Sequence, residues 1–588
     1  MSTQETQIAA DVPFIRLLTI KRFRGIEGLT WRPARGVNIL LGGGDVGKTT
    51  ILEAIALLLN PTNATALSDS DYWQRDNDQG FQIAATMSLP LATGIAEQRN
   101  AVWPWEWDGE NPKLPATEAG DPSPKEPVYC VRVTGSPDFE LVYEIGQPDD
   151  TFDHFSVAVR RKIGVVKLTG DDRNDRDLRL VQGSALERLL NDKTLRAKLG
   201  QKVAESDIEG ALKPEAEDAL DALGERFQER NLPSVLGLGL VGGPGFSLSA
   251  LVGLTSEKDG VDLPLSSWGA GTRRLAALEV ANAHQVAHPI MVVDEIERGL
   301  ESYRQRVLVE ELISSPSQAF VTTHSAAAVS AAEGADLWYV DSTSAIGHLP
   351  SSLAAQRARD PETFLARLAI IAEGKTEVGF VTELLTRALG GDIRRHGLWV
   401  SDGGSNTETL AVLQALTKSR LTFGGFADDE GTDGTGWAGV KNQLGDRLLR
   451  WKSGCLEANV IAHIPDEKLE EFIRDPDGDA GERLRTMADR LGLPNTSTVA
   501  LRENGPAFRQ LIIEAATGAS HPDPEASKET KKAWKKHGQR WFKTRDGGKE
   551  LAEKVFALGI WPKLSDELLP FVNAVRRTVD LEDIELVA

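Results

Sequence analysis

Residues 41–50 read LGGGDVGKTT, and no other stretch constrains the fold as tightly. Gly42, Gly47, Lys48 and Thr49 meet the G-x-x-x-x-G-K-[ST] spacing, with the apolar run VNILL before them and a helix-like run after. Glycines there let backbone N–H groups converge on a phosphate, and a helix starting at the lysine adds the positive end of its dipole. The spacing predicts a strand over 37–41, a helix over 49–59 and a phosphate cradle between them, with Gly44 and Thr50 completing it. In this reading Lys48 reaches the β and γ phosphates and Thr49 ligates Mg2+. The bland reading, a glycine-rich turn, does not explain the flanking strand and helix.

Residues 290–297 read IMVVDEIE, an apolar strand ending in acids. Asp294 would hold Mg2+ and Glu295 would polarise an attacking water. Between the two segments lies SSWGAGTRR (266–274), with Ser267, Gly269 and Gly271, and downstream FVTTHS (320–325) delivers His324 from a strand. The order of these pieces resembles the ABC-type ATPases of the SMC-like branch. The opening IKRFRGIEGLTW (20–31), with Arg24 and the helix residues Glu53 and Ala54, strengthens the resemblance. It departs at Gly44, where the family has Asn, and Gln82 is the one candidate for its Q-loop glutamine. The resemblance implies ATP as cofactor, Ser267 completing the site of an opposite subunit in a dimer or larger assembly, and His324 sensing the γ-phosphate.

A second constellation follows. Residues 368–385 read LAIIAEGKTEVGFVTELL, a strand ending at Glu373-Gly374 and a helix with Glu377 in its first turn. Residues 421–431 read LTFGGFADDEG, where Asp428 and Glu430, two apart on an extended chain, share a face. Four converging hard oxygen donors suit Mg2+ or Mn2+, although acids also simply solvate strand ends. The pattern resembles the Toprim domain, whose signature is Glu-Gly at one strand end and Asp-x-Asp at another. Glu430 in the last position departs from it and leaves the part of Asp429 open. All five tyrosines precede this segment, which argues against topoisomerase-like strand transfer.

An ATPase head joined to Toprim resembles the overcoming-lysogenization-defect family of ATP-dependent nucleases. That resemblance assigns Glu470 as a metal ligand, with Glu467 second, from HIPDEKLEEFI (463–473). It assigns Lys543, from WFKTRDGGKELAEKVF (541–556), to charge on the scissile phosphate. It further implies a metal-dependent DNA endonuclease in bacterial anti-phage defence, with a UvrD-like helicase as the partner in Gabija-type systems. Competing readings are a non-nucleolytic SMC-like DNA clamp with a degenerate Toprim domain and a primase-like enzyme.

Composition sets the remaining bounds. The 588 residues predict three to four structural units at roughly 150 residues each. The expected fold class is α/β. An ATPase N-terminal lobe spans 1–165, a helical insertion 166–235 offers a dimer face, and an ATPase C-terminal lobe spans 236–362. A Toprim domain with a helical extension spans 363–588. Further strands are expected over 14–20, 128–133, 155–159, 246–254 and 365–372, with a hairpin at 258–260. Two distant cysteines give no disulfide framework. No signal peptide or membrane span is visible, so a cytoplasmic location is expected. The net charge of −21 requires any DNA contact to be a local basic patch. SKETKKAWKKHGQRWFKTR (527–545) supplies eight Lys/Arg against one acid. Its Trp534, Trp541 and Phe542 are expected as stacking faces or as core anchors.

Overall fold

The computed structural model describes residues 12–585 apart from 64, 97, 99, 116–125, 169–176, 182–183, 191–211, 241–251, 284–287 and 506. It divides into two compact units, Met1–Ile346 and Gly347–Ala588. The sequence had suggested a boundary at 362/363. Residues 351–364 belong instead with the second unit, because Gln356, Asp360 and Thr363 hydrogen-bond Ser401, and Asp360 also accepts from Trp399.

In the first unit, Phe14–Phe23 pairs antiparallel with Ile26–Trp31 and with Phe81–Ser88, which in turn pairs with Glu126–Gly135. A second sheet places Val165–Leu168, Ile290–Val293, Ala319–Thr322, Val37–Leu41 and Asp336–Val340 side by side, each neighbouring pair parallel. All five residues of Val37–Leu41 are buried, as a strand enclosed on both faces requires. Its one polar member, Asn38, is satisfied by the backbone of Ala34 and by Trp338 Nε1. The helix Lys48–Leu58 buries Ile51, Leu52, Ile55 and Leu58 in the core that also holds Leu18, Ile83 and Val131.

Two local expectations need comment. Residues 155–159 do not form a strand: Val157–Ile163 is a helix capped by Ser156, whose side chain accepts from Val159 N. The alternating V-A-V run misleads because Arg160, fully buried, is paired inward with Asn60 O and Asn63. The hairpin at 258–260 forms as expected between Val252–Lys258 and Val261–Pro264. Asp259 and Gly260 both have positive φ, 56° and 77°, as a tight two-residue turn demands. Of the expected helical insertion, Ala185–Leu190 and Pro214–Glu229 are helices; 191–211, and 246–251 of the expected strand, lie outside the described residues.

The second unit is built on a parallel sheet ordered Leu398–Asp402, Leu368–Ala372, Phe423–Ala427, Leu448–Arg450. Helices surround it, and one core runs from Leu368 through Phe426 to Phe571 and Val575. Both Leu368–Ala372 and Phe423–Ala427 are wholly buried. Their C-terminal ends therefore open at one edge of the sheet, where such folds bind ligands.

Candidate functional sites

The loop after Val37–Leu41 turns on two glycines with positive φ, Gly42 at 142° and Gly47 at 96°. A Cβ on Gly42 would strike the Val340 carbonyl, so only glycine fits there. At Gly44 a Cβ meets nothing within 4 Å, so a residue with a side chain has room to start there. Lys48 is buried and its Nζ donates to Gly42 O at 3.0 Å and Gly43 O at 2.6 Å, which holds the ammonium over the loop. Burial lowers its pKa, opposed by Asp294 and Glu297.

Asp294 completes this site. Its Oδ1 accepts from Thr49 Oγ1 at 3.0 Å and from Thr322 Oγ1 at 2.6 Å, so residues 245 positions apart meet where the sequence expects Mg2+. The next residue, Glu295, has φ 49° and is held by its N–H donating to Thr322 Oγ1 at 2.7 Å. A glutamate forced into this region is strained, as functional positions often are. Two residues missed in the sequence frame it. Glu297 accepts from Thr323 Oγ1 and from the His324 N–H, both at 2.7 Å, which fixes the His324 loop. Arg274 is buried and donates to the Asp294 and Arg298 carbonyls.

Ser267 is exposed at the end of a short helical turn and donates to Pro264 O at 2.7 Å. Gly269 is exposed, whereas a Cβ on Gly271 would strike the Gly299 carbonyl. Arg24 is ion-paired with Glu53 and Asp71. Gln82 sits in the antiparallel sheet opposite Lys21 and Thr134.

The second unit brings Glu373, Glu377, Asp428, Glu430 and Lys543 onto one cleft of about 520 Å³. Glu373 Oε2 accepts from Asn406 Nδ2 at 2.7 Å and from Asp428 N at 2.9 Å, which ties the two strand ends together. Asp428 Oδ1 accepts from Leu456 N at 2.9 Å. Asp429 is not among the cleft-lining residues and accepts from Arg450 at 2.7 Å. Burial, then the neighbouring carboxylates, pushes Asp428 and Glu377 well above the ordinary carboxylate range, and burial raises Glu373.

Glu470 is not among the residues that line this cleft. Its side chain is 54% exposed and pairs with Arg502 at 3.4 Å, while Glu467 lies in the adjoining turn Asp466–Lys468. The late acid at the cleft is Glu457, fully buried and 2.7 Å from Lys543 Nζ. Its Oε2 accepts no hydrogen bond. The signal in the sequence was CLEANV, a lone glutamate in an otherwise apolar helix, easily taken for a surface position. Burial opposes charge on Lys543, but Glu457 and Glu377 outweigh it and raise its pKa. Buried carboxylates in excess of cations, one with an orphan acceptor, are a donor set that fits a divalent cation.

Lys543 reaches the cleft because two helices touch at glycines. Lys375–Ala388 and Arg545–Ala557 approach so closely that a Cβ on Gly379 would strike Arg545 O, and one on Gly548 would strike Thr376 O. Thr376 Oγ1 also donates to Phe542 O at 2.9 Å. Of the expected stacking residues, Trp541 and Phe542 are core anchors, and Trp534 is half-buried between His521 and Arg490. Lys528, Lys531, Lys532, Lys535 and Lys536 are exposed on the helix Lys528–Lys536.

A family model described as "AAA domain, putative AbiEii toxin, Type IV TA system" matches residues 143–330. That span holds the 266–274 segment, Asp294, Glu295 and His324. Over these residues the chain is similar to AAA-type ATPases, and the meeting of Thr49 with Asp294 agrees with that likeness. Three solved structures are similar at low identity. The Smc head domain with an extended coiled coil bound to the C-terminal domain of ScpA, from Pyrococcus furiosus, is 15% identical with a TM-score of 0.34, covering 59% of this chain and 98% of that one. The recombination mediator protein RecF-ATPrS is 13% identical with a TM-score of 0.36, covering 58% and 99%. The SMC head domain from Thermotoga maritima is 14% identical with a TM-score of 0.29, covering 57% and 99%. No curated protein matches the sequence. No helix among the described residues is long and apolar enough to cross a membrane.

Proposed function

We propose that this protein binds and hydrolyses ATP in its first unit and cleaves DNA in its second, as a divalent-metal-dependent endonuclease of the overcoming-lysogenization-defect kind. The observation that carries the nuclease reading is the convergence of Glu373, Glu377 and Asp428 on a cleft that also presents Lys543, with Glu457 buried behind it against Lys543. These carboxylates, with Glu430, would hold Mg2+ or Mn2+, which when bound supplies a Lewis acid and an activated water. Asn406 and the Asp428 N–H orient Glu373, and Leu456 N orients Asp428. Lys543 offers its ammonium to a phosphate oxygen on which charge develops.

In the first unit, Lys48, held on the Gly42 and Gly43 carbonyls, would offer its ammonium to the nucleotide phosphates. Thr49 and Asp294 would hold an accompanying Mg2+, and Glu295 would polarise water. Ser267, exposed at the surface, would serve the nucleotide of a second copy, so the active form would be at least a dimer. Anti-phage defence, with a helicase of the UvrD kind as partner, is the biological setting this reading favours.

The test is nicking of supercoiled plasmid in Mn2+, with and without ATP. Glu373→Ala and Asp428→Ala should each remove cleavage and keep ATP hydrolysis. Full cleavage by both variants would overturn the nuclease site. DNA binding driven by ATP with no cleavage in the parent protein would favour the clamp reading instead.

A further inference from the structure

The acidic cleft contains a donor that a pure Mg2+ site does not need. Cys455 lines the cleft, and its Sγ lies with one oxygen each of Asp428 and Glu457 in a group whose ligand atoms are all within 4.8 Å of one another. Among the described residues this is the one such group of His, Cys, Asp and Glu. The backbone holds it in place: Leu456 N donates to Asp428 Oδ1, which draws 455–457 over the end of Phe423–Ala427. Glu457 is fully buried and its Oε2 has no hydrogen-bond donor, while Lys543 stands at Oε1. An acceptor buried without a donor is costly unless a cation completes it.

We propose that Asp428, Cys455 and Glu457 form a mixed carboxylate–thiolate site for a borderline divalent ion of the Zn2+ or Co2+ class. Two oxygens and one sulfur match the ligand preferences of such ions, whereas Mg2+ takes oxygen alone. Zn–O and Zn–S bonds of about 2.0 and 2.3 Å bring ligand atoms nearer one another than the 4.8 Å limit of this group, so binding would draw the three side chains together. The ion takes the place of the thiol proton, which leaves to solvent. It also competes with Lys543 for Glu457 and so frees that ammonium toward the cleft. The inference rests on the cleft being a metal site, but it concerns which ion the site prefers.

The chain's two cysteines make the test clean, because Cys130 lies in the first unit, 3.9 Å from Thr86 Oγ1. Full-length Cys130→Ser protein titrated with Co2+ should develop a near-ultraviolet thiolate-to-metal charge-transfer band that saturates at about one equivalent, and Zn2+ should abolish it. Adding Cys455→Ser should remove the band and weaken Zn2+ binding about 10–100-fold, with Mn2+ affinity unchanged as proof of an intact cleft. Glu457→Gln should weaken Co2+ binding at least about tenfold. A Co2+ complex of the Cys130→Ser protein without the band would sink the thiolate site while leaving the oxygen site standing. Failure to bind Co2+ or Mn2+ at all would overturn both.

Discussion

Asp294 Oδ1 receives two hydroxyl donors, Thr49 from the phosphate loop and Thr322 from the neighbouring strand. Asp294→Asn exchanges one of its acceptor oxygens for a donor, so ATP hydrolysis should fall at least about 100-fold. Lys48→Ala should abolish it, and Glu295→Gln should trap bound ATP, both read by phosphate release and nucleotide retention. In the second unit the decisive pair is Glu457 and Glu470. Glu457→Gln should cut plasmid nicking about 10–100-fold, and Glu470→Gln, altering an exposed ion pair, should leave it within about twofold. The reverse ranking would restore Glu470 to the site. The pH response follows from the raised carboxyls. A group that holds its proton more tightly folded than unfolded favours folding while protonated, and that contribution is lost as pH rises above the ordinary carboxylate range of about 4. The metal-free second unit should therefore lose stability with rising pH, and Mn2+, which binds the deprotonated groups, should raise the melting temperature more at about pH 8 than at about pH 6. Equal shifts would show that Glu377 and Asp428 do not bind the ion. Most of these residues were legible because each sits at a strand end with a motif around it. Glu457 and Glu297 were not, since what defines them is burial and a partner far along the chain.

Helix packing decides whether Lys543 belongs to a site or to the surface. The contact of Lys375–Ala388 with Arg545–Ala557 runs through Gly379 and Gly548, and behind it Arg483 makes a bidentate pair with Glu550, 2.8 and 2.7 Å, against Phe542. Gly379→Ala should cost about 1–3 kcal/mol of stability in the second unit by forcing the helices apart. It should also lower cleavage more than Mn2+ affinity, since Lys543 moves while the strand-end carboxylates stay. Comparable losses of both would place the damage in the sheet. At this scale the sequence was informative where periodicity and polarity agreed, as in Val37–Leu41 and Leu368–Ala372. It misled at Val157–Ile163, where a buried arginine and a serine cap outvote an alternating run. The glycine contact between two helices more than 160 positions apart leaves no local pattern to read.

At the scale of the whole molecule, a chain of net charge −21 needs a concentrated cationic face to approach DNA. The exposed lysines of Lys528–Lys536 offer one, while Trp541 and Phe542 take the core-anchor alternative. Replacing Lys531, Lys532, Lys535 and Lys536 together should weaken binding to every DNA sequence. With each duplex phosphate contact worth a slope of about −0.9, it should flatten the salt dependence by about 3–4. An unchanged slope would put the DNA path elsewhere. The phosphate-loop strand carries a further consequence, for biosynthesis. Both neighbours of Val37–Leu41, Ala319–Thr322 and Asp336–Val340, leave the ribosome about 280 residues after it. At about 5–20 residues per second this apolar strand waits roughly 15–60 s without a partner. The nascent chain therefore carries an unpaired apolar strand edge through that interval, and no ATP can shelter it until translation has passed the last strand of that sheet.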